Sequence, residues 1–260
     1  MSVELSHRLI GGKTQPPVLI LHGLLGSSRN WLAAGRELAQ QSIVYALDLR
    51  NHGASPHTDE MDYELMVEDV MKWMHGHLAE KPLLIGHSMG GKVAMTLACR
   101  HPQSIKGIVV ADIAPMKHTA LEGALSAMDA LPLENLKTRK EAEEQMAEHI
   151  PELGMRRFLL TNLQRNNAGA FYWGVHLKCI KNSREILAEN PVGKEDKYVG
   201  PSLFIRGALS DFVPDSIIPN ILYHFPHASV DTLAQAGHNA HIDNKAGFVQ
   251  SVKNHFECQF

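Results

Sequence analysis

Gly86-His87-Ser88-Met89-Gly90 constrains this chain more than any other feature, because of what flanks it. Leu83-Leu84-Ile85 reads as a strand buried on both faces, and Met89 to about Arg100 reads as a helix. A G-x-S-x-G pattern between strand and helix is a nucleophile elbow. The turn is so tight that the serine takes a strained backbone conformation, and side chains at positions 86 and 90 would collide with their neighbours. Ser88 then stands at a helix N-terminus, where free N–H groups and the helix dipole favour developing negative charge. Gly91, Ala94 and Ala98 keep the following helix thin where it packs on a sheet.

The surrounding rhythm places the elbow in a larger frame. Pro17–His22, Ser42–Asp48, Ile105–Asp112, Ser202–Arg206 and Ala228–Leu233 read as further strands. Between them fall helical patterns: from Ser27 or Ser28 to about Gln40, from Tyr63 (capped by Asp62) to Leu78, and a last one carrying Phe248, Val249, Val252 and Phe256. Such alternation predicts an α/β fold with a mostly parallel central sheet flanked by helices. From about Met116 to Tyr198 the rhythm breaks. That stretch carries helical segments such as Glu141–His149, and an alternating run at Phe171, Trp173, Val175 and Leu177 that reads as a strand. The expected organisation is an α/β body over 1–115 and 199–260, interrupted by an inserted, mainly helical cap over 116–198.

Composition excludes several classes. Lys and Arg number 25 against 28 Asp and Glu, a net charge of −3, so a basic nucleic-acid surface is not expected. Cys99, Cys179 and Cys258 are scattered in no paired spacing, which fits a reducing compartment and neither a disulfide framework nor a metal site. Met1–Ile10 lacks a secretory core, and the apolar run Val18–Leu25 is too short to span a bilayer. A cytoplasmic protein without stable membrane insertion is expected.

A serine nucleophile needs a base. His238 is the candidate among 16 histidines. It follows the strand Ala228–Leu233 through Ala236-Gly237, on the sheet edge where ligands of parallel sheets gather. His241 is expected to pack beneath that loop, and the His87 side chain to point away from the serine. The oxyanion donors should be the backbone N–H of Met89 and one from the loop His22-Gly23-Leu24-Leu25-Gly26, with Leu24 the best candidate.

Asp48-Leu49-Arg50-Asn51-His52-Gly53-Ala54-Ser55 resembles the D-x-R-x-x-G-x-S loop of α/β-hydrolases. With Gly86 to Lys92 and Asp112-Ile113-Ala114-Pro115, the chain resembles the YbfF-type esterases and the related abhydrolase domain-containing protein 11 group. Two carboxylates compete for the triad acid, since both satisfy the order Ser, Asp, His. Asp211 follows the strand Ser202–Arg206, but the usual G-x-x-D register from Gly207 lands on Ser210. Asp112 ends the strand beside the nucleophile strand. The resemblance implies Asp112, with the Ser210 hydroxyl facing the imidazole to assist it, and Asp211 as the alternative acid.

The resemblance further implies an α/β-hydrolase fold and cleavage of small-molecule acyl esters or thioesters, including acyl-CoA, through an acyl-enzyme. No cofactor or metal is expected. Met128, Met155, Phe158, Leu159, Trp173 and Leu177 are candidates to line an acyl pocket. Three other functions compete: a lyase of the menaquinone-pathway type, a cofactor-free peroxidase, and a non-catalytic ligand receptor. The lyase would need a cap lined with arginines, for which Arg139, Arg156, Arg157 and Arg165 are available.

Overall fold

The structure, a computed structural model, describes residues 1–13, 16–119 and 122–256; Cys258 lies outside them. Its central sheet has seven strands in the order β1-β3-β2-β4-β5-β8-β9. They are β1 (His7–Gly11), β2 (Val18–Leu21), β3 (Val44–Leu47), β4 (Leu83–His87), β5 (Gly107–Ala111), β8 (Ser202–Gly207) and β9 (Ala228–Leu233). All neighbours pair in parallel except β1, which runs antiparallel to β3. β2, β4 and β5 are buried throughout, as continuously apolar strands covered on both faces must be. β1 carries only partly buried and exposed residues, and no apolar run announces it.

Helices cover both faces. One face takes α1 (Leu32–Leu38) and α11 (Lys245–Phe256), which pack Trp31, Leu38, Phe248 and Val252 against the inner strands. Ser27 caps a short 3-10 turn, Ser28–Trp31, that leads into α1. The other face takes α2 (Tyr63–His77) and α3 (Met89–Arg100). Asp62 caps α2 by accepting the Leu65 N–H at 2.7 Å.

Between β5 and β8 the chain leaves the sheet. It builds α4 (Glu122–Ala130), α5 (Arg139–Met146), α6 (Leu153–Leu160), α7 (Leu177–Asn182) and α8 (Arg184–Ala188). A hairpin of β6 (Leu163–Arg165) and β7 (Phe171–Trp173) sits among them. The alternating run from Phe171 is therefore strand for only its first three residues, and Leu177 opens a helix instead. This layer shares one continuous core with α2 and α3, through Met128, Met146, Leu159 and Ile180. α9 (Ile218–His224) and α10 (Ala240–Asp243) complete the chain. No helix among the described residues is long and apolar enough to cross a membrane.

Candidate active site

Ser88 ends β4 and opens α3 with φ 50° and ψ −117°, the strained geometry an elbow requires. Its N–H donates to the Ala111 carbonyl at 3.0 Å, extending the β4–β5 ladder, and its carbonyl accepts the Lys92 N–H at 3.0 Å, starting the helix. The turn leaves no room for side chains: a Cβ at Gly86 would lie 2.2 Å from the Gly90 carbonyl oxygen.

Asp112 continues β5 by one residue, with φ +49° and no exposure to solvent. Its Oδ2 lies 2.8 Å from His238 Nδ1 and also accepts the Ser210 hydroxyl, while Oδ1 accepts the Gly207 N–H at 2.9 Å. Donors therefore surround a carboxylate that burial would otherwise penalise. Ser210 serves the carboxylate and not the imidazole, because its Oγ is aimed at Asp112. Asp211 is exposed, turned away by the register that puts Ser210 on the inner side of the loop.

His238 follows β9 on a loop held to the β8 loop by Leu209 N–H to Ala236 O at 2.9 Å and Ala208 N–H to Leu233 O at 2.9 Å. With Nδ1 donating to Asp112, Nε2 is the nitrogen left for Ser88. Two further contacts fix the ring. His87 Nε2 donates to the His238 carbonyl at 2.8 Å, and the Phe212 ring stacks on the imidazole with centroids 3.9 Å apart and planes 24° apart.

The loop after β2 lies directly over the elbow. A Cβ at Gly23 would approach Ser88 Cβ to 3.2 Å and His87 Nδ1 to 2.8 Å, so only glycine lets the chain pass there. His22 and His52 hold this loop by the same pattern. His22 donates from Nδ1 to the Gly23 carbonyl at 2.8 Å and accepts the Leu49 N–H on Nε2 at 3.0 Å. His52 donates from Nδ1 to the Arg50 carbonyl at 2.9 Å and accepts the Leu25 N–H on Nε2 at 3.1 Å. Each needs a neutral ring, and burial pushes both down, His52 to about 3. Asp48 adds two ties, accepting the Ser28 N–H at 2.7 Å and the Ala54 N–H at 2.9 Å. Beneath, Arg50 forms a buried two-pronged pair with Asp69 at 2.6 and 2.9 Å.

Ser88, His238, Leu24 and Met89 border one cavity of about 60 Å³. Its other walls include Tyr63, Lys92, Ile113, His118, Leu187 and Phe212. None of the six residues expected to line an acyl pocket is among them. Met128, Leu159 and Leu177 are buried in the core, because the apolar face that sequence alone presents is the face the cap packs inward. Trp173 donates from Nε1 to the Met128 carbonyl at 3.2 Å, and Phe158 borders a different, smaller cavity.

The four cap arginines are committed elsewhere: Arg139 to the Leu160 carbonyl, Arg156 to the Ile150 and Pro151 carbonyls, Arg157 to Glu143 and Arg165 to the Gly169 carbonyl. His241 is 3% exposed and stacked on Trp31 at 4.0 Å, with burial pushing it down to about 3. Among the described residues no three His, Cys, Asp or Glu side chains gather as metal ligands would. Phe212 and Lys92 escaped the sequence reading. Lys92, one turn beyond Ser88, is the charged residue inside a helix otherwise small and apolar, and that was a usable signal.

The chain belongs to the α/β-hydrolase fold family, whose model matches residues 16–245. It is 38% identical over 265 residues to the sn-1-specific diacylglycerol lipase ABHD11 of Xenopus tropicalis, covering 98% of this chain and 82% of the relative. It is 28% identical to esterase YbfF of Escherichia coli, covering 92% of each. Among solved structures it resembles a marine microorganism esterase with TM-score 0.93 and 36% identity, over 97% of this chain and 99% of the other.

Proposed function

We propose that this esterase- and lipase-type α/β hydrolase cleaves small-molecule acyl esters or thioesters through an acyl-enzyme on Ser88. In this reading His238 Nε2 takes the Ser88 proton as Oγ attacks the acyl carbonyl, and the N–H groups of Leu24 and Met89 hold the oxyanion. Asp112 accepts the hydrogen bond from Nδ1–H throughout, fixing the tautomer and offsetting the imidazolium charge, with Ser210 steadying its shared oxygen. The imidazolium returns its proton to the departing alkoxide or thiolate. His238 then activates a water that cleaves the acyl-enzyme, regenerating Ser88.

The observation that carries this is the 2.8 Å pair of Asp112 and His238 at the same cavity as an elbow serine. Residues 116–198 act as the cap that covers that cavity. The names of the relatives support ester cleavage, and acyl-CoA extends the same chemistry to a thioester. The deciding experiment is labelling with a fluorophosphonate probe beside hydrolysis of p-nitrophenyl esters and acyl-CoAs. Ser88→Ala should lose both label and turnover. Labelling that survives the substitution refutes the nucleophile.

A further inference from the structure

Lys92 borders the cavity and has no part in the chemistry above. It is 2% exposed. Its ammonium donates to the Glu189 carbonyl at 2.6 Å and the Ala188 carbonyl at 2.9 Å, with the Leu187 carbonyl at 3.5 Å and the Tyr63 ring centroid at 5.7 Å. Its two short bonds both go to the cap.

The carbonyls it binds are the unpaired acceptors at the end of α8, where a cation also suits the helix dipole. The same helix end is held twice more. The Tyr63 hydroxyl donates to the Leu187 carbonyl at 2.6 Å, and the His118 N–H donates to the Ala188 carbonyl at 2.8 Å. Burial pushes the Lys92 ammonium down to about 8, against the opposing pull of the Glu189 carboxylate. Withdrawing α8 would strand a buried charge with no acceptors. Tyr63, Lys92 and Leu187 are all cavity walls, so ties between cap and core border the cavity.

Resting on the hydrolase reading, we propose that the Lys92 tie closes the far end of the acyl pocket and limits the length of the acyl group. A longer chain would have to displace α8 and break the Tyr63 and Lys92 ties at once.

The test varies acyl length from two to twelve carbons on one p-nitrophenyl leaving group, and separately varies the alcohol on a butanoyl group. For the wild type, kcat/KM should fall by about tenfold or more between butanoyl and decanoyl esters. Leu187→Ala should move that fall to longer chains, and Lys92→Met should flatten it. If Lys92→Met does not fold, Tyr63→Phe removes one tie and keeps the ring, and should give the same change in smaller degree. A wild type that cleaves decanoyl as well as butanoyl esters overturns the proposal. So does a folded Leu187→Ala with the wild-type profile, or a limit set by the alcohol and not the acyl group. Thermal shift of Ser88→Ala with carboxylates of graded length reads the pocket without turnover. Size-limited stabilisation there, with no hydrolysis by the wild type, removes the hydrolase reading and leaves the pocket length standing.

Discussion

At the sheet edge, Ser88, Asp112 and the loop over the elbow are held by backbone: strand ladders that overrun by one residue, positive φ at Ser88 and Asp112, and histidines bonded to peptide groups. Across the cavity, Leu187 is held by side chains arriving from far away in sequence, Tyr63 and Lys92 among them. The first region is built from backbone geometry that few residue types satisfy. The second is built from side-chain contacts that many residues could make. In the function proposed above, reaction chemistry falls to the backbone-held edge and substrate choice to the wall across from it.

The hardest blow to the edge is Asp112→Asn. An amide can donate its N–H to Nδ1 and so favour the wrong tautomer of His238, and turnover should fall by about 10³–10⁴ with the fold intact. Asp211→Asn, a surface change, should stay within about twofold. Kinetics on p-nitrophenyl butanoate beside circular dichroism checks both, and an equal loss from Asp211→Asn would transfer the acid role.

The edge is also the acid-sensitive region. His22, His52, His87 and His241 are all held neutral by burial, His52 and His241 down to about 3. Between about 3 and 6.5 the unfolded chain binds more protons at His52 and His241 than the folded one, and His22 and His87 act in the same direction. Their contribution is therefore fully present above 6.5 and is lost as pH falls toward 3. Urea midpoints should drop steeply from pH 7.5 to 4.5. His241→Phe, which keeps the stack on Trp31 and removes one titrating ring, should lessen that drop. An unchanged slope would show that this ring does not resist protonation in the fold.

Legibility follows the same division. The strands, the elbow and His238 could be read because a buried parallel strand must be continuously apolar and a tight turn must carry glycine. β1 could not, since an edge strand without a buried face leaves no pattern. Asp112 needed the resemblance, because register alone left Asp211 in play. In the cap, Met128 and Leu159 looked the same as pocket residues would, since an apolar side chain does not declare whether it faces a ligand or a core. Met128→Ala or Leu159→Ala should accordingly cost about 2–5 kcal/mol of stability while leaving the acyl-length profile unchanged. Leu187→Ala, at a buried position that also borders the cavity, should cost stability as well and shift the profile. A profile that follows Met128 would place that residue on the pocket wall after all.

The smallest effect tests a wall residue that touches the edge directly. Phe212 borders the cavity and lays its ring on His238 at 3.9 Å. Its own N–H lies 3.3 Å from Ser210 Oγ, so the loop that supplies Ser210 to Asp112 also supplies the ring. The imidazole becomes a cation when it takes the Ser88 proton, and an aromatic face stabilises such a cation by about 0.5–2 kcal/mol. Phe212→Leu keeps the apolar bulk and removes the π face. Turnover should fall by about tenfold. Phe212→Tyr retains the face and should restore it. If leucine turns over as well as phenylalanine, the ring acts by packing alone, and the edge needs nothing electronic from the wall opposite.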